Sequence, residues 1–309
     1  MDALKQLLIW AKRNFNISPT ETSLEKLTKH SSKPTVAYCL NKDKNICGLA
    51  LQNLNIDSLP DFISSQPIQY LILHKNLFKS LKNIYLKPNY LDISNNKLQN
   101  LDGLPDSISY LNASHNEISN ISDVNNAPNL TYLNLWMNNI SALPQLHLPK
   151  ISILNICWNN IKNINPICKL SSLTELYLRK NQISDISCLS NLTKLQTLWI
   201  NDNFISNIQA LSHLKNLQVI NLANNQITDI SPLQNLSKIK RIHLQNNKIA
   251  DICPITKFPL SSLNFSNNNV KNINCLLQMK TLRILNIANN PISDYSVLSQ
   301  MHWLTKITK

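Results

Sequence analysis

The sequence predicts an α/β repeat solenoid, in which short parallel strands stack and short helices or extended segments return along the back. Three observations predict this fold. The unit LxLxxNxIxxI recurs along the chain, its Asn returns every 20 to 22 residues, and only 2 of the 309 residues are Gly. A repeat of this length indicates one supersecondary unit per copy. The scarcity of Gly excludes folds that depend on Gly-rich phosphate loops.

The recurring Asn marks the position of each copy. An opening copy, LALQNLNIDSL, has Leu54 in place of the Asn. The Asn side chain both donates and accepts hydrogen bonds, so a column of them can satisfy buried backbone groups. We expect a structural Asn ladder of Asn76, Asn96, Asn116, Asn138, Asn159, Asn181, Asn203, Asn225, Asn247, Asn268 and Asn290.

The LxL segment of each unit is a short strand with both leucine-type side chains on one face. One copy cannot bury this face alone, so neighbouring copies must stack. The pattern is identified as that of the leucine-rich repeat family. The resemblance implies a curved horseshoe with a parallel sheet on its concave side. Its convex side would carry short 3-10 or α helices, or extended segments.

The later copies contain dipeptides that predict short helices on the convex side. An N-cap residue followed by Pro at the first helical position is a favoured start for a helix. We expect the back of the solenoid to change from extended segments to short helices near Asn159. The three dipeptides are Asn165-Pro166, Ser231-Pro232 and Cys253-Pro254.

The two ends of the chain do not repeat, and the sequence predicts three regions. Residues 1–46 form an N-terminal α-helical capping domain, since its apolar residues have helical spacing from Leu4 to Phe15 and a second helix is expected before Cys39. Residues 47–295 form an array of about twelve repeats. Residues 296–309 form a last-turn cap, in which Trp303 would cover the final core layer.

The N-terminal region also resembles bacterial secreted effectors of the IpaH and YopM type. The residues that carry this resemblance are Trp10, Pro19, Glu21, Cys39-Leu40-Asn41 and the segment LALQNLNIDSLPDF. Later repeats resemble internalin-type units of 22 residues, and none of the 7 Cys begins the Cys-x-Asp motif of the ligase domain of that effector family. The resemblance implies a virulence effector that is made in the bacterial cytoplasm and acts inside a host cell. The ligase activity of that effector family does not carry over, because its motif is missing.

Cysteine usage and hydropathy predict where the protein works. The 7 Cys show no CxxC and no compact framework, so we expect small buried or incidental thiols in a reducing compartment. The segment MDALKQLLIWAKRNF lacks the features of a Sec signal peptide, and secretion without one is expected. No window reaches the ~18 apolar residues of a membrane span.

Strand alternation predicts the binding surface. In each repeat, the residues six, four and two positions before the ladder Asn should face the open concave side. We call these the three surface columns. In the middle repeats they hold residue types that dominate protein interfaces, although aromatic residues also stack along sheets for packing alone. The expected partner-binding residues are Tyr132, Trp136, Tyr177, Arg179 and Trp199, with Trp158 one place off the columns.

The net charge of +13 offers a second surface. A basic cluster could bind an acidic ligand or nucleic acid, or it could reflect a Lys-rich surface without a binding role. Because no dedicated nucleic-acid motif is present, nucleic acid is not the favoured partner. The possible acidic-ligand patch comprises Lys238, Lys240, Arg241 and His243.

Sequence motifs give no support for catalysis. The His residues have no metal-ligand spacing such as HExxH, and Cys157 has no partner in the sequence to activate it. We therefore expect no catalytic residues, no metal and no cofactor. The favoured function is a monomeric protein-protein interaction module that binds a host protein of unknown identity. The alternatives are a basic-patch binder of nucleic acid or another acidic ligand, and the substrate-recruiting arm of a ligase-type complex.

Overall fold

The computed structural model describes residues 2–309, which divide into two compact units between Ile156 and Cys157. We call residues up to 156 unit 1 and residues 157–309 unit 2. Each unit is a stack of repeats with one short strand per repeat, and the predicted α/β repeat solenoid is confirmed. No helix within residues 2–309 combines the length and the apolarity that crossing a membrane requires.

Unit 1 contains eight strands that follow one another in chain order. They are β1 (Thr20–Glu21), β2 (Thr35–Leu40), β3 (Ile46–Gln52), β4 (Tyr70–Ile72), β5 (Tyr90–Asp92), β6 (Tyr110–Asn112), β7 (Tyr132–Asn134) and β8 (Ile153–Asn155). β1 is parallel to β2, β2 is antiparallel to β3, and β3 to β8 run parallel. Equal positions of successive repeats are paired, as Leu71 is with Leu91.

Unit 2 contains seven parallel strands. They are β9 (Glu175–Tyr177), β10 (Thr197–Trp199), β11 (Val219–Asn221), β12 (Arg241–His243), β13 (Ser262–Asn264), β14 (Ile284–Asn286) and β15 (Lys306–Thr308). The sheet therefore continues into the predicted last-turn cap. There the indole N–H of Trp303 donates to the Met279 carbonyl at 3.0 Å, and Lys280 Nζ lies 3.9 Å from the centre of the ring.

The N-terminal cap is mixed rather than all helical. It contains α1 (Ala3–Phe15) and the short α2 (Leu24–Leu27), as expected. The prediction of only helices before the repeats is wrong, because β2 and β3 form an antiparallel pair. The β-branched and aromatic residues of TVAYCL favour a strand, and this strand pairs with the otherwise open edge of the first repeat.

Short helices on the back of the repeats follow the prediction in part. Unit 1 has 3-10 helices at Asp61–Ile63 and Ser122–Asn126, and α3 (Ser296–Ser299) lies near the C-terminus. The 3-10 helices of unit 2 are Asn165–Ile167, Ser187–Asn191, Gln209–His213, Ser231–Leu233, Cys253–Ile255 and Asn274–Gln278.

The predicted N-caps are wrong by one residue, since the N-cap positions are Ile230 and Ile252. Instead of acting as caps, Ser231 and Cys253 are capped. Their backbone N–H groups donate to Asp229 Oδ1 and Asp251 Oδ1, each at 2.8 Å. The column of Asp residues along this edge of unit 2 therefore satisfies helix starts, the role that Asp fills best.

The ladder Asn side chains connect adjacent repeats, as Asn203 shows. Asn203 Nδ2 donates to the carbonyls of Leu178 at 3.0 Å and Ile200 at 3.1 Å, and its Oδ1 accepts the Ile183 N–H at 3.0 Å. The same pattern recurs at Asn225. Each ladder Asn thus satisfies backbone groups of two repeats that have no partners in the sheet.

The Asn203→Ala variant should lower the free energy of unfolding by about 1–3 kcal/mol, because it leaves buried donors and an acceptor unsatisfied. Urea unfolding followed by circular dichroism measures this loss. Asn191→Ala, at an exposed Asn, should stay within about 0.5 kcal/mol of the wild type. Equal stability of the two variants would contradict a structural role for the ladder.

Two disulfides lie in unit 2, Cys168–Cys188 and Cys253–Cys275, with Cα atoms 5.5 and 5.6 Å apart. The expectation that all cysteines are incidental thiols is therefore wrong for these four. Their partners are 20 and 22 residues apart, which is one repeat. In a solenoid this spacing places two side chains next to each other.

Candidate protein-binding surface

The three surface columns are not open along their whole length. In the first repeats of unit 1 they are buried: Ile72 is fully buried, Asp92 is 1% exposed and Ser94 is fully buried. The N-terminal cap covers Ile72, since Leu27 and Ala37 pack with it in one apolar cluster. The expectation of a continuous exposed face is wrong for these repeats.

The Tyr residues of unit 1 form a stacked column on the sheet. The rings of Tyr90 and Tyr110 lie 4.0 Å apart, and those of Tyr110 and Tyr132 lie 4.2 Å apart with nearly parallel planes. Burial raises the pKa of the Tyr110 hydroxyl, so this group stays protonated. Tyr132, one of the predicted binding residues, is half-buried at one end of this packed column.

Trp136 is half-buried and rests against a neighbour in unit 1. Its ring meets His115 edge to face, with centroids 4.4 Å apart. Its backbone N–H donates to Asn134 Oδ1 at 3.1 Å, which holds the end of β7 in place. Trp136 therefore lies at the surface with a fixed backbone, as the repeat register predicts.

Unit 2 brings Tyr177 and Trp199 together. They are paired residues of β9 and β10, and their rings meet edge to face at 5.5 Å. The Tyr177 hydroxyl donates to a carboxylate oxygen of Glu175. Trp199 keeps 38% of its surface exposed although its ring is held on one side. An exposed indole held in a fixed orientation is suited to bind a partner at low entropic cost.

Arg179 is held by an internal ion pair. Its Nε donates to Asp202 Oδ2 at 2.9 Å, and Asp202 also accepts from Asn201 at 2.7 Å and Asn224 at 2.6 Å. Arg179 and Asp202 neutralise each other and are fixed by this network. This ion pair leaves Arg179 less available to a partner than the sequence predicts.

Trp158 is displaced from the three surface columns by the backbone. Its φ is +55°, and the residue before each ladder Asn has this left-handed conformation, including Lys180 and Asp202 in unit 2. A bulky residue is uncommon at positive φ. Lys180 Nζ lies 3.5 Å from the centre of the Trp158 ring, a cation–π contact, and the indole remains 37% exposed.

Phe204 is an exposed aromatic residue that the three surface columns did not predict. It is 54% exposed and directly follows a ladder Asn, outside those columns. A comparison of this position across repeats could have found it, because the other copies there carry mainly polar residues.

Comparisons with known proteins support the repeat assignment. A profile of the family described as Leucine Rich repeats (2 copies) matches residues 171–213 and 215–257. Internalin C2 of Listeria monocytogenes is 32% identical over 66% of this chain and 81% of that protein, with a TM-score of 0.52. The chain belongs to the leucine-rich repeat family.

Two further structures resemble the fold of this leucine-rich repeat protein. An internalin of Listeria monocytogenes, InlF, is 23% identical over 99% of this chain and 94% of that chain, with a TM-score of 0.75. The Arabidopsis receptor kinase HAESA, in complex with a peptide hormone and a co-receptor, is 20% identical over 82% of this chain and 50% of that chain, with a TM-score of 0.60. No curated protein sequence matches the chain.

The basic patch of this leucine-rich repeat protein is exposed and lies within unit 2. Lys238, Lys240, Arg241 and His243 are all exposed, and Lys238 Nζ donates to Asn216 Oδ1 at 2.7 Å. Partial desolvation of the ring and the nearby Arg241 lower the pKa of His243. His243 is therefore neutral at pH 7, and the positive charge of the patch rests on the other three residues.

Cys157 is not suited to nucleophilic catalysis. It is buried, and burial raises the pKa of its thiol to about 12. The thiolate is the nucleophile, so the group is unreactive near neutral pH.

Proposed function

We propose that this leucine-rich repeat protein is a non-catalytic binding protein that engages a host protein through exposed aromatic residues on its sheet. The single observation that supports this most is the pair of Trp199 and Tyr177 in unit 2. Their rings are held in place on adjacent strands, and the indole is exposed. Trp and Tyr are the residue types most enriched in interface hot spots.

The aromatic surface of unit 2 extends to Trp158, whose indole is exposed and covered on one side by Lys180. A partner with carboxylates beside an apolar side chain would match this mixture of indole and ammonium groups. Trp136 and Tyr132 of unit 1 form a second candidate contact, which we propose separately.

Resemblance supports a proposed role at the interface between bacterium and host. Internalins are bacterial proteins, and so are the secreted effectors that the N-terminal region resembles. The two disulfides favour an oxidising location, such as the outside of the bacterial cell. We therefore propose that the protein is exported and binds its host partner there, with the host-cell interior as the second candidate location.

The basic patch supports a second candidate function, binding of an acidic ligand. Within the described residues, no carboxylate lies within salt-bridge distance of Lys238, Lys240 or Arg241. Cations without an ion-pair partner remain available to phosphates or to an acidic protein surface.

The aromatic proposal predicts that Trp199→Ala and Trp136→Ala, alone and combined, weaken binding of a host protein. The full-length wild type is first used to isolate partners from host-cell lysate, and each is purified and measured by isothermal titration calorimetry. Trp199→Ala should raise Kd by at least about 30-fold, the effect of a hot-spot residue. Its melting temperature should change little, because the side chain is already partly solvated.

Phe204→Ala is the matched control, since it removes another exposed aromatic residue of unit 2 and should leave Kd unchanged. A partner that binds all Trp variants as well as the wild type would contradict the aromatic proposal. If charge reversal of Lys238, Lys240 and Arg241 instead abolishes binding, and affinity falls steeply with salt, the acidic-ligand function is correct.

A further inference from the structure

Three potential metal ligands meet where the N-terminal cap of unit 1 lies against the first repeats. They are His30 from the cap, His74 just after β4 and Asp92 at the end of β5. One ligand atom from each lies within 4.8 Å of the other two. His30 Nε2 lies 2.6 Å from Asp92 Oδ2, and the two imidazole rings stack at 3.8 Å.

Ser94 fixes the tautomer of His74. The Ser94 hydroxyl donates its one hydrogen to Asp92 Oδ1 at 2.6 Å. It must therefore accept the hydrogen bond at 2.9 Å from His74, so His74 Nδ1 carries the proton. His74 Nε2 is left with its lone pair. This is the arrangement of metal-binding histidines, whose other ring nitrogen donates to an oriented oxygen.

Asp92 is oriented in the same way. Its Oδ1 accepts from both the backbone N–H and the hydroxyl of Ser94. Its Oδ2 accepts from Asn112 Nδ2 at 3.0 Å and faces His30. The carboxylate is almost completely buried, and a buried anion requires a positive partner. His30 is the basic group that faces it, and the hydrogen bond with Asp92 raises the pKa of His30, which favours its protonated form.

The cluster is accessible to solvent on the His30 side, where the side chain is 44% exposed. The segment that carries His30 is nevertheless held in place. Gln52 of β3 accepts the Ser31 N–H at 3.0 Å and donates to the Lys29 carbonyl at 3.1 Å. An ion could thus enter from solvent and meet one adjustable ligand and two fixed ligands.

We propose that His30, His74 and Asp92 bind one divalent transition-metal ion, best matched by Zn²⁺. Two imidazole nitrogens and one carboxylate oxygen are a ligand set that Zn²⁺ uses, with a fourth position for water. The ion would take the place of the proton between His30 and Asp92. Bound there, it would connect the N-terminal cap to the second and third strands of the repeats.

Coordination requires two adjustments. Tetrahedral ligands at ~2.0 Å from Zn²⁺ lie about 3.3 Å apart, so the His30–Asp92 distance of 2.6 Å must open. The exposed His30 ring must also rotate out of its stacked position on His74, so that both lone pairs point at the ion. The His30 proton would leave when the ion binds.

The test must separate this site from a second potential ligand pair. The sulfurs of Cys39, in the cap, and Cys47, in β3, lie 3.5 Å apart, and thiolates also bind Zn²⁺. The experiment uses the full-length protein, without an affinity tag and stripped of metal, titrated with Zn²⁺ by isothermal titration calorimetry. His30→Gln and His74→Gln test the proposed ligands. His213→Gln, at an exposed His of unit 2, and the Cys39→Ser/Cys47→Ser pair are controls.

We expect one Zn²⁺ to bind per chain. The Kd for Zn²⁺ should be at least about tenfold higher than in the wild type in each ligand variant. Both controls should keep the wild-type Kd. His30→Gln should still fold, because His30 is on an exposed segment, but its melting temperature in chelator should be lower than that of the wild type, because Asp92 loses its partner. It should also lose the rise that Zn²⁺ causes in the wild type. The proposal is overturned if Zn²⁺ does not bind, if both His variants bind it like the wild type, or if only the Cys variant loses it.

Discussion

Asp92→Ala should destabilise the metal-free protein by about 3–5 kcal/mol, more than the loss of a ladder Asn or of a disulfide. Removing the carboxylate leaves its donors without an acceptor, and it leaves His30 without a counter-charge. Four hydrogen bonds converge on Asp92, from His30, from the N–H and hydroxyl of Ser94, and from Asn112. All of these groups except His30 are buried.

Urea unfolding in the presence of a chelator measures this loss. Asp57→Ala provides the control, since it removes an exposed carboxylate of unit 1 and should change the free energy of unfolding by less than about 0.5 kcal/mol. The loss in free energy of unfolding for Asp92→Asn should lie between those of Asp92→Ala and Asp57→Ala, because the amide keeps an acceptor for Ser94 but loses the charge. A loss below about 1 kcal/mol for Asp92→Ala would mean that the network contributes little.

The repeat fold could be predicted from the sequence because each repeat follows the same rule. The spacing of Asn203 and Asn225 defines the length of a repeat, and the alternation around Leu198 defines its buried face. Both are local properties of the chain. The predicted register is therefore correct in these repeats, and Trp199 lies on the exposed side of β10.

The fold of the N-terminal cap and the cluster of His30, His74 and Asp92 could not be predicted from the repeat period. His30 lies in the non-repeating segment, and its distance from His74 and Asp92 depends on how the cap folds onto the first repeats. No spacing rule for metal ligands covers residues drawn from a cap and two repeats. The same contact explains why the surface columns are buried near Ile72, since periodicity does not show what covers a face.

The disulfide pairs could not be predicted for a different reason. Short motifs such as CxxC describe ligands within one turn, whereas Cys253 and Cys275 are one full repeat apart. Once the repeat length is known, residues at equivalent positions on the back of successive repeats can be recognised as spatial neighbours. The sequence therefore contains the signal, but it can be interpreted only with the repeat register.

The Cys253→Ser/Cys275→Ser variant should lose about 3 kcal/mol of stability. Removing a crosslink with a sequence separation of 22 residues restores conformational entropy to the unfolded chain, and a loop of this size corresponds to that free energy. Urea unfolding without reductant measures the difference. The wild type in reductant should lose at least as much, because reductant also opens Cys168–Cys188. Cys47→Ser, at a free and half-buried thiol, should respond to reductant as the wild type does.

The same disulfide tests where the protein works. Thiol alkylation before lysis, followed by mass spectrometry of the protein recovered from bacteria and from the medium, measures its oxidation. Export into an oxidising location should leave Cys253 and Cys275 protected from alkylation, whereas action inside the host cell should leave both labelled. If the pair is reduced in every fraction and the Ser variant is as stable as the wild type, the crosslink does not form. The interpretation of these cysteines as incidental thiols would then be correct.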